Sequence, residues 1–171
     1  MFRAIIFDLD GTLFNLPINY SLLREKISEI LGIAEISSLL NAVTQVEDQQ
    51  VLRKVFDTWT SFELAIIDNI IVHKEGMQLY RQHAKLPKAL VTMQGKETVH
   101  RICQKFNIQF DTISTREDTL NRNEQLKMVA INLGFTLPDM LFIGNIDNDE
   151  NAAKQVNCQF IRVKAHKVNF H

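Results

Sequence analysis

The sequence predicts an α/β protein, a Rossmann-like, doubly wound parallel sheet of five strands with a small helical segment inserted early in the chain. Three observations predict it. Apolar segments of strand length occur at Ala4-Ile5-Ile6 and over residues 88–92, 110–114, 140–144 and 159–163. Helical periodicity separates the later ones. Residues 15–85 break this rhythm, because their apolar positions recur at helical spacing and no convincing strand is visible there.

A chain of 171 residues is long enough for one domain with a real core plus a small insertion. Hydrophobic residues at 46%, charged residues at 23% and a net charge of −1 describe an ordinary soluble composition, without the electrostatic footprint of a nucleic-acid binder. No stretch approaches the roughly 20 apolar residues of a membrane span. Asp8 cuts the first apolar run too early for a signal peptide, so a cytoplasmic protein without nucleic-acid or membrane partners is expected. Cys103 and Cys158 lie in segments that read as regular structure, which fits a reducing compartment. His100 and Cys103 share an i, i+3 spacing, but with no second pair nearby they read as helix packing rather than as zinc ligands.

The first strand runs into Phe7-Asp8-Leu9-Asp10-Gly11-Thr12-Leu13. Two carboxylates therefore stand where a buried strand gives way to a turn, the place at which open α/β sheets collect ligands. Gly11 lets the chain bend and re-aim Asp10 relative to Asp8. Neighbouring carboxylates repel, and a divalent cation relieves that repulsion. Mg²⁺ suits the place, since it takes oxygen ligands from one or two carboxylates together with substrate phosphate and water.

The insertion follows. Leu22, Leu23, Ile27, Ile30 and Leu31 form an apolar stripe ending at Gly32, and Val51, Leu52, Val55, Phe56, Trp59 and Phe62 form a second, with residues 64–72 after it. The second core strand ends in Val91-Thr92-Met93-Gln94-Gly95, a hydroxyl followed by a polar turn into a helix over 97–106. Thr92 and the backbone N–H groups there make a ready anion contact, with Gln94 in the same turn as a further substrate contact. A helix over 124–133 carries Leu126, Val129, Ala130 and Leu133 on one face and ends at Gly134. The strand over 140–143 leads into Gly144-Asn145-Ile146-Asp147-Asn148-Asp149-Glu150.

The string around Asp8 resembles the first signature of the haloacid dehalogenase superfamily, and the later segments resemble its other signatures in order. Over essentially the whole chain the sequence is similar to phosphoglycolate phosphatase-like members with a short helical cap. The resemblance implies a core of residues 1–14 and 86–171 and a cap of residues 15–85. It implies Mg²⁺-dependent hydrolysis of a small phosphorylated metabolite, a phosphate monoester, through a phosphoaspartate on Asp8. Asp10 is then the acid and base, and points to a phosphatase, or to a phosphomutase of the hexose type whose bisphosphate-rebinding cap no feature here demands, rather than to pump ATPases, which have threonine there, or dehalogenases, which lack that acid. Thr92 takes the phosphoryl-contact position, although Met93 departs from the small polar residue usual next to it. Arg122 stands where relatives have lysine just before a helix, with Lys127 one turn on as the rival. Asn145 stands where a metal-ligating aspartate is expected and Asp149 matches the second acid, so the implied metal set is Asp8, Asp10, Asn145 and Asp149. Asp147 is an extra carboxylate nearby. Asn145 and Arg122 also keep open a second expectation, a catalytically weakened relative that binds a phosphorylated ligand or a protein.

Overall fold

The computed structural model describes residues 1–164. The last part of the core segment expected from the sequence, residues 165–171, lies outside the described residues. The chain runs β1 (Ala4–Phe7), β2 (Phe14–Asn15), α1 (Tyr20–Leu31), α2 (Leu39–Thr44), α3 (Gln49–Ala65), β3 (Ile71–Val72) and α4 (Lys74–Gln82). It then alternates β4 (Lys88–Val91), α5 (Lys96–Phe106), β5 (Thr112–Ser114), α6 (Arg122–Leu133), β6 (Met140–Gly144), α7 (Asp147–Gln155) and β7 (Gln159–Arg162). Among the described residues, no helix is long and apolar enough to cross a membrane.

Five parallel strands form one sheet in the order β5-β4-β1-β6-β7, the doubly wound arrangement expected from the alternating pattern. Its third strand begins two residues later than the apolar pattern suggests. The Asp111 carboxylate takes the Lys88 N–H at 2.8 Å, and the residue pairing of β4 with β5 starts at Ala89 and Thr112. Because side chains alternate across a strand, β1 divides its residues between two apolar clusters. Ile5 and Phe7 join Leu90, Val99, Ile102, Leu141 and Ile143 on one face. Ala4 and Ile6 join Leu126, Val129, Phe142, Ala152 and Ala153 on the other. Helix α5 thus covers one face and α6 and α7 the opposite one, which buries both sides of the central strands as a parallel sheet requires.

Helix ends follow their local chemistry. Asn19, Asp48 and Asn121 accept backbone N–H groups at the starts of α1, α3 and α6, and Gly32 and Gly134 close α1 and α6 at φ 67° and 73°.

Residues 15–85 differ from expectation in one respect. They contain strand after all, since β2 and β3 pair antiparallel through Phe14 with Val72 and Asn15 with Ile71. Two-residue strands are too short to produce an alternating pattern, which is why the sequence hides them. The helices between them share the cluster on the first sheet face, where Leu23, Ile27, Val55 and Trp59 pack with Ile5 and Phe7. Helix α4 rests on the sheet itself, with the Tyr80 ring 5.7 Å from Phe7 and 5.7 Å from Phe110.

The start of α4 also braces the loop that carries the paired aspartates. His73 N–H donates to Leu13 O at 2.9 Å, and a Cβ on Gly76 would overlap the Thr12 carbonyl oxygen. Helix propensity alone favours Gly76→Ala by about 1 kcal/mol. Overlap with backbone opposes it, and overpacking costs about 1–3 kcal/mol. Gly76→Ala is therefore expected to lower stability in urea unfolding, and a variant more stable than the parent protein would contradict this packing.

Candidate active site

After β1 the chain builds outward through β4 and β5, then returns to add β6 and β7 on the other side, so the strand order reverses beside β1. Ligand crevices open at such a switch, outside the carboxyl ends of the strands. Asp8 follows β1, where its N–H donates to Ile143 O at 3.0 Å, and Asn145 follows β6. Parallel pairing thereby brings together residues far apart in sequence. Asp8 Oδ2 and Asn145 Oδ1 lie 3.2 Å and 3.3 Å from the hydroxyl of Thr12, whose single proton serves one of them at a time. Gly11 adopts φ 77°, and a Cβ there would run into the Asn145 amide. The position needs glycine both for the turn and for this approach.

Arg122 is the first residue of α6 and is buried. A cation at a helix N-terminus opposes the helix dipole, so its burial needs nearby negative charge. Its Nη2 donates to Asp8 Oδ1 at 3.0 Å, and its Nε lies 3.1 Å from Asp149 Oδ1 without hydrogen-bond alignment. Nη1 donates to Gln125 Oε1 at 2.8 Å, and Gln125 in turn donates to the carbonyls of Thr92 and Thr119. Asp149 is fully buried behind the arginine and accepts the Asn145 N–H at 3.3 Å. A Cβ on Gly144 would come within 2.7 Å of Asp149 Oδ2, so the missing side chain makes room for that carboxylate.

Asp8, Asp10, Met93, Gln94, Arg122 and Asn145 line a cavity of about 250 Å³. Two of the residues singled out from the sequence stand back from it. Asp149 faces Arg122, and Thr92 is wholly buried, with its hydroxyl donating to Gln94 Oε1. Lys127, the rival cation, is exposed, and Asp147 is exposed and paired with Arg162 at 2.7 Å. No residue from 15–85 lines the cavity; the segment reaches Asp10 through the Leu16 N–H, which donates to Oδ1 at 2.9 Å, and the Tyr20 hydroxyl, 3.5 Å from Oδ2.

Burial dominates the electrostatics. It pushes Asp10 up to about 6, against the stabilising Leu16 N–H, which donates to Oδ1 at 2.9 Å. Burial, reinforced by the Asp149 carboxylate, pushes Asp8 up to about 8, with Arg122 pulling the other way. Oxygen-bearing side chains of Asp8, Asp10 and Asn145 share one wall, a donor set that fits a hard cation such as Mg²⁺. Three contributors escaped the sequence reading. Thr12 sits inside the string around Asp8, Gln125 is a polar residue on the buried face of α6, and Tyr20 opens α1; none has a local pattern that marks it.

No protein-family model matches the sequence, and no curated protein matches it. Solved structures do. CbbY from Rhodobacter sphaeroides in complex with phosphate is similar at 17% identity and a TM-score of 0.68, over 100% of this chain and 90% of that one. A haloacid dehalogenase-like hydrolase from Streptococcus pneumoniae is similar at 16% identity and a TM-score of 0.68, over 94% and 84%. A candidate phosphoglycolate phosphatase from Lactobacillus plantarum is similar at 20% identity and a TM-score of 0.65, over 94% and 85%. The fold is that of the haloacid dehalogenase-like hydrolases.

Removing Arg122 leaves two buried carboxylates without their cation. Arg122→Met is expected to cost about 3–5 kcal/mol in urea unfolding, the range for breaking a buried ion pair from one side. The folded-state value of Asp8 lies above its ordinary 3.8, so the folded protein holds a proton there that the unfolded chain releases. Stability then falls as pH rises from about 4 towards 8, and without Arg122 the fall extends to higher pH. The deficit of the variant should be larger at pH 9 than at pH 5, and equal deficits would contradict the pairing.

Proposed function

We propose that the protein is a phosphate-monoester hydrolase acting on a small phosphorylated metabolite, with Asp8 as the nucleophile. The observation that carries this reading is the Asp8 carboxylate itself, held by Arg122 at 3.0 Å in the same cavity wall as Asp10. Likeness of the fold to a haloacid dehalogenase-like hydrolase and to CbbY in complex with phosphate supports it. Residues 15–85 are assigned as the cap and the remainder as the core.

In this mechanism an oxygen of ionised Asp8, the form that the Arg122 charge favours, attacks phosphorus in line while the bond to the leaving oxygen breaks, so one displacement becomes two easier ones. Asp10 gives its proton to the leaving alkoxide. It then takes a proton from the water that attacks the phosphoaspartate, and release of phosphate restores the Asp8 carboxylate with Asp10 again protonated. A carboxyl pushed up to about 6 suits both duties near neutral pH. Arg122 neutralises charge on the phosphoryl oxygens. The bond from the Thr92 hydroxyl to Gln94 Oε1 leaves the Gln94 amide N–H groups as donors towards a phosphoryl oxygen, so Thr92 acts through Gln94. Asp8, Asp10 and Asn145 would hold Mg²⁺, which supplies further charge neutralisation when bound. Asp149 serves by holding Arg122.

Asn145 also motivates a second reading, a domain that binds a phosphorylated ligand with little turnover, because an amide attracts a cation less than a carboxylate does. Activity separates the two. Under the first reading, para-nitrophenyl phosphate is hydrolysed in millimolar Mg²⁺, EDTA stops the reaction, and Asp8→Asn falls to background. Phosphate release that survives Asp8→Asn would remove the nucleophile from the proposal, and no release at all would favour the binding domain. Asn145→Asp should lower the Mg²⁺ concentration needed for half-maximal rate and raise turnover; no change in either would remove Asn145 from the cation site.

A further inference from the structure

Residues 15–85 build none of the cavity wall, yet they reach the phosphate-contact turn through two buried charges. Glu63, near the end of α3, and Arg116, in the loop after β5, both have fully buried side chains and pair through Oε1 and Nη1 at 2.5 Å. Each spends further hydrogen bonds on residues 93–95. Arg116 Nη1 also donates to the Met93 carbonyl at 2.9 Å, and Glu63 Oε2 accepts the Gly95 N–H at 3.0 Å. Thr98 at the start of α5 donates to the same Glu63 oxygen at 2.7 Å. The arginine is itself fixed from α3. Its Nη2 donates to Phe56 O at 3.3 Å and Thr60 Oγ1 at 2.5 Å, and its guanidinium lies 4.7 Å from the centre of a Trp59 ring. Gly95 has no room for a side chain, since a Cβ would stand 2.6 Å from Thr60 Oγ1 and 2.7 Å from Arg116 Nη2.

We infer that Glu63 and Arg116 are positioning residues for phosphate binding: they grip the turn on both sides of Gln94, Glu63 from α3 and Arg116 from a loop that α3 holds, so the helical insertion is a fixed buttress of the site rather than a lid. This rests on the phosphatase reading. Two geometric facts carry it. A pair that only glued the insertion to the sheet would need no bonds to the turn, whereas here the Met93 carbonyl and the Gly95 N–H are each satisfied by one of the two charges. Lifting α3 would also separate a fully buried ion pair and strand both charges away from water. The insertion shares its apolar cluster with the sheet, which opposes the same motion.

The test separates positioning from stability. Replacing both charges together, as Glu63→Met with Arg116→Met, removes the grip without leaving an unpaired buried charge, an exchange that is often neutral for stability. The expected result is an unfolding midpoint close to that of the parent protein, with affinity for inorganic phosphate and 1/KM for para-nitrophenyl phosphate both reduced about tenfold or more by the misplaced contact. Glu63→Gln should do the reverse. It keeps an acceptor for the Gly95 N–H, so phosphate affinity stays within about threefold while stability drops because Arg116 loses its counter-charge. If the double variant does not fold, Arg116→Lys replaces it. Lysine keeps the charge but not the fork that reaches Glu63, Met93 and Thr60 together, and phosphate affinity should again fall. Unchanged phosphate affinity in the folded double variant, or in Arg116→Lys, overturns the inference. Should the parent protein neither bind nor release phosphate, it is the phosphatase reading that fails. Amide hydrogen exchange then decides the positioning role: selective acceleration at Gln94 and Gly95 in the double or Arg116→Lys variant upholds the grip on the turn, and unchanged exchange overturns it.

Discussion

The constraint on which the site depends is the sharing of one buried guanidinium between two carboxylates. Arg122 meets Asp8 at 3.0 Å and Asp149 at 3.1 Å, and all three are nearly or wholly removed from water. None of them is tolerable alone, because an unpaired buried ion is strongly destabilising. Asp8 arrives from the end of β1, Asp149 from α7 and Arg122 from the first turn of α6. The charge balance can close only when β1 and β6 are paired in register and α6 and α7 are docked on the same face of the sheet. Fold and site are therefore one electrostatic solution.

Much of that solution was legible in the sequence, for reasons that can be named. The central strands β1, β4 and β6 announce themselves through apolar segments, since strands buried on both faces need unbroken hydrophobic runs, and the edge strands β5 and β7 follow from the alternation with helices. Asp8, Asp10, Arg122 and Asn145 each sit at a strand end or helix start, and all four share the cavity wall. What stayed hidden is non-local. The Glu63–Arg116 pair joins an α3 glutamate to an arginine in the loop after β5, and neither residue stands in a pattern that distinguishes it from a solvated charge. Asp149 is expected among the metal ligands from its spacing, yet it faces Arg122 behind the cavity, because sequence spacing does not show which way a carboxylate faces. The β2–β3 pair escaped because two residues are too few to display a period.

The two departures from the usual signatures bear on one another. A lysine offers one compact charge, whereas the fork of Arg122 spans Asp8, Asp149 and Gln125 at once. Asn145 lowers the negative charge of the wall by one, and its backbone N–H is the donor that fixes the far oxygen of Asp149. A charge is thus withdrawn beside the cavity while the cation next to it is gripped from more sides. Arg122 is held in the wall by Asp8, Asp149 and Gln125 before any ligand arrives.

The same economy of contacts explains how a short insertion contributes to a site it does not enclose. Enclosure excludes water and strengthens electrostatic interactions, but it requires side chains that reach over the cavity. Residues 15–85 supply none to its wall. They supply rigidity from behind, where Phe56, Thr60 and Glu63 hold Arg116, Arg116 holds the Met93 carbonyl, and Glu63 holds the Gly95 N–H. Gln94 then lines the cavity from a turn anchored at both ends. With the contact fixed before a ligand arrives, little ordering is needed at the moment of binding, and preorganisation of this kind does through α3 what closure of a lid achieves by motion.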